Sequence, residues 1–311
     1  MSRNRYWQVI LCAALAAAGI AAPYACKSSG TPLPNAPHPR IVTYSPALTQ
    51  MVVDLGLGSH LVGVTSQCTV PADLHPAVVG DAFNVGVEAI LSVKPDVVLT
   101  QIDAQRFEAV RRVDPSVRIE FFKIERIEVI PAAVERIGKI VGREDLSAAA
   151  LAKWEKDLQA VERFIAGKPR PRVLFVMGYE QPSTGGAGTF ISDMIERAGG
   201  VNAAGGLSGW SDISLEYAIG AKPDVIVCLL DSATQKADAA RKFWAPVVSG
   251  GERPVRLEIV TDRQWTIPGL HTAGYVRKLA QIIHVWAEPG EAAHGTTQPG
   301  EAGHGPAEVA P

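Results

Sequence analysis

The chain contains no GxSxG elbow, no HExxH helix, no GxxxxGKS/T loop and no GxGxxG following a strand. Each absence removes the support for a chemistry: serine hydrolysis, zinc proteolysis, phosphate cradling and dinucleotide binding. LGLGSHLVG at 55–63 is glycine-rich, but its spacing fails the dinucleotide pattern and suits a helix C-cap. STGGAGT at 183–189 fits either an anion site at a helix N-terminus or a plain strand-to-helix loop. Cysteine is scarce, and none of the four residues stands in CxxC spacing, so neither a zinc nor a thioredoxin-type site is signalled. His60, His75, His271 and His284 show no ligand spacing, which favours surface or helix-terminal roles over a metal site. Lys and Arg are scattered and the net charge is −2, against the concentrated basic face that nucleic acid requires.

What remains is an ordinary globular composition, 47% hydrophobic and 20% charged. A length of 311 residues leans towards two domains, at roughly 150 residues each. The N-terminus carries Arg3 and Arg5, then VILCAALAAAGIAA, an apolar run too short to span a bilayer with margin. Residues 1–25 therefore read as a secretory signal. Ala25-Cys26 followed by Lys-Ser-Ser-Gly suits lipidation of Cys26, whereas Pro23 suits ordinary cleavage nearby. Either way the mature chain is exported, to the periplasm or another extracytoplasmic space, with Cys26 as a candidate lipid anchor. Cys68 and Cys228 are left to pair or to stay as thiols, and Cys228, inside DVIVCLL, reads as a small core residue.

After a proline-rich tether at 26–38, strands and helices alternate. IVTYS, LVGV, DVVLT and VRIEFF read as strands, with helices at ALTQMVVDLGLG, VEAILSV and around 104–112. This gives an N-terminal α/β lobe over 39–130. Residues 131–168 lack any strand pattern. Leu151, Trp154, Leu158, Val161 and Ile165 lie on one face of a long helix ended by Gly167 and Pro169. A second α/β lobe follows over 169–287. The Gly/Pro/Ala-rich tail at 288–311 has too little to bury and is expected to be disordered, its His294 and His304 being solvated rather than metal-bound.

One unit occurs twice. EAILSVKPDVVLTQ at 88–101 is echoed by EYAIGAKPDVIVCL at 216–229, with Lys94, Pro95 and Asp96 recurring as Lys222, Pro223 and Asp224. The expected architecture is two Rossmann-like α/β lobes joined by one long α-helix, with mainly parallel sheets and a ligand cleft between the lobes. Aromatics are only 6% of residues, so their placement is informative. Phe83 and Trp210 each precede the repeated helix, Trp265 lies in another loop, and Tyr44 and Tyr179 stand at the ends of each lobe's first strand. Such faces suit a large, flat, partly apolar ligand, or else pack beneath their own lobes. Glu88 and Glu216 open the two repeated helices, either as dipole-stabilising residues or as a pair of exposed acids that dock onto arginines of a two-fold partner.

PRIVTYSPALTQMVVDLGLGSHLVGVT, QCTVPADL, VGDAFNVGVEAILSVKPDVVLT, IERAGGVNAA and GWSDISLEYAIGAKPDVIV together resemble the cobalamin- and iron-siderophore-binding proteins of bacterial ABC importers, over residues 39–286. The resemblance implies a cleft that closes only slightly and delivery of a ligand to a permease and ATPase complex in the inner membrane. It implies that Glu88 and Glu216 meet permease arginines, and that the protein is a monomer with no catalytic group and no cofactor of its own. The QCTVP turn and Trp210 look closer to the cobalamin branch. Siderophore and haem binders often carry arginines before the last helix, where this chain has TIPGLHT with Arg263 nearby. A corrinoid is thus the expected ligand, a ferric siderophore or haem the alternative. A zinc or manganese receptor and an exported enzyme stand lower, for want of convergent ligands or reacting groups.

Overall fold

The computed structural model describes residues 39–231, 236–251 and 253–284. The signal segment, Cys26, the tether and the tail lie outside the described residues. Among those described, no helix is long and apolar enough to cross a membrane.

The N-terminal lobe runs β1 (Ile41–Tyr44), α1 (Pro46–Asp54), β2 (Leu61–Val64), β3 (Ala77–Val78), α2 (Val87–Ser92), β4 (Val97–Thr100), α3 (Glu108–Val113) and β5 (Arg118–Phe121). Its five strands are all parallel in the order β3-β2-β1-β4-β5. The central strands β1 and β4 are buried at every position, which is why they read as unbroken apolar runs. Between them the winding reverses, and in such sheets a crevice opens at the strands' carboxyl ends. The helix expected around 104–112 is a 3-10 turn, Ala104–Phe107, continuing into α3.

The connector holds two helices. α4 (Ile130–Val141) stops at Gly142, whose φ of 68° a side chain would disfavour, and α5 (Glu144–Ile165) then runs for 22 residues, about 33 Å. Trp154, Leu158 and Val161 form its buried stripe, with Leu151 and Ile165 half-buried beside them.

The C-terminal lobe follows as β6 (Arg172–Met177), β7 (Ser183–Gly185), α6 (Phe190–Arg197), β8 (Val201–Asn202), β9 (Trp210–Asp212), α7 (Leu215–Ala221), β10 (Val225–Leu229), α8 (Ala237–Ser249), β11 (Arg256–Val260) and α9 (Thr272–His284). Strands β6, β10 and β11 are parallel; β7 extends the sheet antiparallel to β6, and β9 pairs antiparallel with β7 and so returns to the direction of β6. α5 packs against α4 on one side and α9 on the other. One apolar core therefore runs from Ile41 and Leu48 through Trp154 and Leu158 to Phe175 and Leu279.

The repeated Lys-Pro-Asp unit builds the same clamp twice. Lys94 and Lys222, φ 44° and 47°, are the only non-glycine residues with positive φ among those described. Each ends a short helix, and a preceding arginine reaches its carbonyls: Arg40 donates to Val93 O at 2.8 Å and Lys94 O at 3.0 Å. Arg172 donates to Ala221 O at 2.8 Å and Lys222 O at 3.3 Å. The aspartate closes the unit by accepting from the arginine's own amide, Asp96 from Arg40 and Asp224 from Arg172, both at 2.7 Å. The left-handed turn costs about 1–2 kcal/mol at a residue with a side chain, and these bonds hold it.

The lobes are tied by a carboxylate. Asp193 of α6, almost buried, accepts from Arg126 Nε at 2.8 and 2.9 Å, from Arg126 Nη2 at 2.7 Å and from the Ile127 amide at 2.9 Å. Elsewhere His284 donates through Nε2 to Ala198 O at 2.9 Å, while its buried Nδ1 has no partner. Burial therefore holds this imidazole below its ordinary range; Lys168 adds to the effect and the Ala198 carbonyl opposes it.

Asp193→Ala should cost about 2–3 kcal/mol, the value of hydrogen bonds to a buried charge, and urea unfolding would register it as a lower midpoint. The depressed His284 value means its contribution is complete above the unfolded-state pKa of about 6.5 and is lost as pH falls below it. Unfolding midpoints measured from pH 7.5 to 5 should drop, with a shallower slope in His284→Gln.

Candidate ligand cleft

A cavity of about 450 Å³ lies between the lobes. The N-terminal wall comes from the switch point: Ser45, Pro46 and Ala47 follow β1, Gln101 follows β4, and Gln67 and Thr69 follow β2. Ser45 caps α1, its hydroxyl bonded to Gln101 Oε1. The opposite wall is the turn after β11, including Asp262, Arg263, Gln264 and Thr266. Asp262 is already engaged, accepting from the Gln264 amide at 3.0 Å and from the Tyr275 hydroxyl. Burial first, and Asp262 second, raise that phenol well above its ordinary range. Apart from Asp262 and Arg263 the polar lining is thus amides and hydroxyls.

Two contacts cross between the lobes beside this cavity. Gln264 Nε2 donates to Gln50 Oε1 at 3.1 Å, and His271 Nδ1 lies 3.3 Å from Asp54 Oδ2 while its Nε2 faces Ile267 O at 2.7 Å. Both link α1 to the loop before α9. Neither was legible from spacing, because the partners lie more than two hundred positions apart in the chain.

The aromatic residues separate into two groups. Phe83 is 76% exposed and Trp210 49% exposed, one on each lobe. Phe83 stands on a loop pinned to the cleft wall, since Gln67 Oε1 accepts from the Ala82 amide at 3.1 Å. Trp210 opens β9 rather than standing in a loop, opposite Gly185 of β7, and its ring rests 5.9 Å from Phe190, the first residue of α6. Tyr44 and Trp265, by contrast, are 3% exposed and belong to the core. Tyr44 meets Phe107 edge-on at 5.1 Å, and Trp265 is enclosed by Phe175 and Tyr275. An end-of-strand position does not distinguish a side chain turned into the core from one turned out, so the sequence missed this. Tyr179 is half-buried against Phe243, at 6.1 Å.

Glu88 and Glu216 are exposed in the first turns of α2 and α7. The Ser214 hydroxyl, foremost, holds the Glu216 carboxyl below its ordinary range. Cys68 and Cys228 are both free thiols. Cys68 is bonded to Thr49 and Thr65, whereas burial pushes Cys228, in mid-β10, up to about 11.

The periplasmic binding protein family profile matches residues 41–242. The chain belongs to that family. It is 27% identical to YvrC, named as an uncharacterized ABC transporter substrate-binding lipoprotein of Bacillus subtilis, over 67% of this chain and 68% of that protein. It is 31% identical to a cobalamin-binding protein of Halobacterium salinarum over 60% of this chain, spanning about half of that relative, 53%. Among solved structures, the vitamin B12 binding protein BtuF of Vibrio cholerae superposes with a TM-score of 0.64 at 19% identity, covering 79% of this chain and 98% of that one. The haem binding protein HutB of Vibrio cholerae gives 0.69 at 18%, covering 79% and 99%. These two establish the shared two-lobed fold.

Iodoacetamide at pH 8 should label Cys68 well before Cys228, since only the thiolate reacts and Cys228 is both buried and above that pH. Peptide mapping of the alkylated native protein reads the order.

Proposed function

We propose that this protein captures cobalamin or a related corrinoid outside the cytoplasm and delivers it to an ABC importer. The observation that carries the reading is a cleft lined mainly by amides and hydroxyls, with one exposed aromatic ring on each lobe, Phe83 and Trp210, outside the cavity's own lining. A corrin is broad, apolar on its faces and ringed by carboxamides. Aromatic surfaces suit the faces, and Gln67, Gln101 and Gln264 can exchange hydrogen bonds with the neutral rim. The relatives named for cobalamin or vitamin B12 support the same ligand class.

Haem or a ferric siderophore is the second reading, and Arg263 is what favours it, as a cation on the cleft wall. Asp262 beside it reduces the attraction for an anionic ligand. In either case the protein works by binding, as a monomer, without catalysis or a resident cofactor. Glu88 and Glu216 are the acids we assign to the permease, one exposed on each lobe, and Cys26 is the assigned lipid anchor. The signal segment and family membership support an extracytoplasmic location.

Tryptophan-fluorescence titration of the mature protein with cyanocobalamin, ferric siderophores and haemin tests the ligand. Saturable quenching by cyanocobalamin is expected, with Phe83→Ala and Trp210→Ala each weakening binding about 5–10-fold, as for the loss of roughly 1–1.5 kcal/mol of stacking. Saturation by a ferric chelate or haemin alone would move the ligand to iron. Glu88→Lys with Glu216→Lys should leave that affinity unchanged and abolish whole-cell uptake of radiolabelled cyanocobalamin.

A further inference from the structure

We infer that the hydroxyl of Tyr44 is a mechanical junction, tying the loop that carries Phe83 to the helix that carries Glu88 so that the two move as one body. This deepens the proposed function and rests on its assignment of Phe83 to the ligand and Glu88 to the permease. The bonding at the oxygen carries it. Tyr44 Oη lies 2.9 Å from Asn84 O and 3.1 Å from Val79 O, and it accepts from the Gly86 amide at 3.1 Å. A phenol has one hydrogen and lone pairs to accept with. Its hydrogen is therefore shared between the carbonyls on the loop side, and a lone pair holds the helix side.

Two of the three contacts, those to Asn84 and Gly86, lead towards a functional group. Asn84 closes a turn in which Asp81 Oδ1 accepts from the amides of Phe83 at 2.7 Å and Asn84 at 2.8 Å. Arg106 holds the carbonyl of Phe83 from the other side. Gly86 is the N-cap of α2, and its carbonyl accepts the helix's first bond from the Ile90 amide at 2.8 Å. Glu88 stands between those two residues. The exposed ring and the exposed carboxylate stand five positions apart in the chain, and the Tyr44 oxygen bonds the Asn84 carbonyl and the Gly86 amide between them. The turn is also shaped around it: a Cβ on Gly80 would fall 1.7 Å from Tyr44 Oη.

Among the described residues the C-terminal lobe shows no equivalent. α7 is capped by its own Ser214, which accepts from the Tyr217 amide at 3.2 Å, and among the described residues no β6 side chain bridges Trp210 to α7. Occupancy is thus transmitted to Glu88 and not to Glu216, which makes the two docking acids unequal although the repeat makes them look alike.

Tyr44→Phe removes the oxygen and keeps the ring on Phe107. Hydrogen exchange with mass spectrometry on the ligand-free mature protein should show residues 81–86 and 87–92 exchanging together about tenfold faster, with 215–221 unchanged as an internal control. Acceleration in the loop alone, or in neither segment, overturns the junction. Adding cyanocobalamin should protect both segments in the wild type but only the loop in Tyr44→Phe; equal protection of α2 in both overturns the coupling. If cyanocobalamin protects neither segment of the wild type, the ligand reading fails while the ligand-free comparison still decides the junction. Asp81→Ala, at a surface carboxylate, is the second variant. With Tyr44 present it should loosen α2 as well as the loop, and an undisturbed α2 counts against the proposal.

Discussion

The carboxylate of Asp193 fixes how the lobes face one another. It accepts from the Arg126 guanidinium and the Ile127 amide at the entrance to α4, so the C-terminal lobe is held to the start of the connector by charge-assisted bonds. A nearly buried carboxylate cannot give up these donors cheaply. Below it the core is continuous through α4 and α5 into both sheets. An apolar core of this kind resists sliding, because shifting packed side chains opens voids or forces clashes. The cleft is consequently set by a rigid frame and bridged at one side by the Gln264–Gln50 and His271–Asp54 contacts. That frame suits a protein that captures one ligand and presents it, with little motion between the two acts.

Within each lobe the duplicated clamp serves a complementary purpose. The arginine at the start of a central strand reaches the last carbonyls of the acid-bearing helix, and the aspartate after the proline returns a bond to that arginine's backbone. The helices α2 and α7 are too short to persist alone. Their orientation comes from these ends, which keep Glu88 and Glu216 in comparable positions on the two lobes. The lobes differ at the other end of the helix, where the N-terminal one uses a buried tyrosine and the C-terminal one a local serine.

Much of the architecture was legible in the sequence. Buried parallel strands read as continuous apolar runs, α5 showed its stripe at Trp154, Leu158 and Val161, and the Lys-Pro-Asp repeat marked equivalent helix ends. Strands β7 and β9 were not legible, being only three residues each, and α8 carried the interior Pro246 that weakens a helical pattern. The break at Gly142 was concealed within a stretch of uniform helix-forming composition.

Among the site residues, the sequence placed Phe83 and Trp210 ahead of the repeated helices and Glu88 and Glu216 in their first turns, because those positions follow from local order along the chain. It placed Tyr44 and Trp265 among them too, since strand ends and turns are where binding residues gather. Whether a ring turns outward or inward depends on what packs beneath it, Phe107 for one and Phe175 with Tyr275 for the other, and those neighbours come from distant segments. Periodicity and short-range motifs along the chain encode the duplicated lobe, the long connecting helix and the positions of Glu88 and Glu216 at the helix starts. Which aromatics reach solvent, how the glutamines converge on the cleft and what the Tyr44 hydroxyl joins follow from the folded packing, because each depends on contacts between residues far apart in the chain.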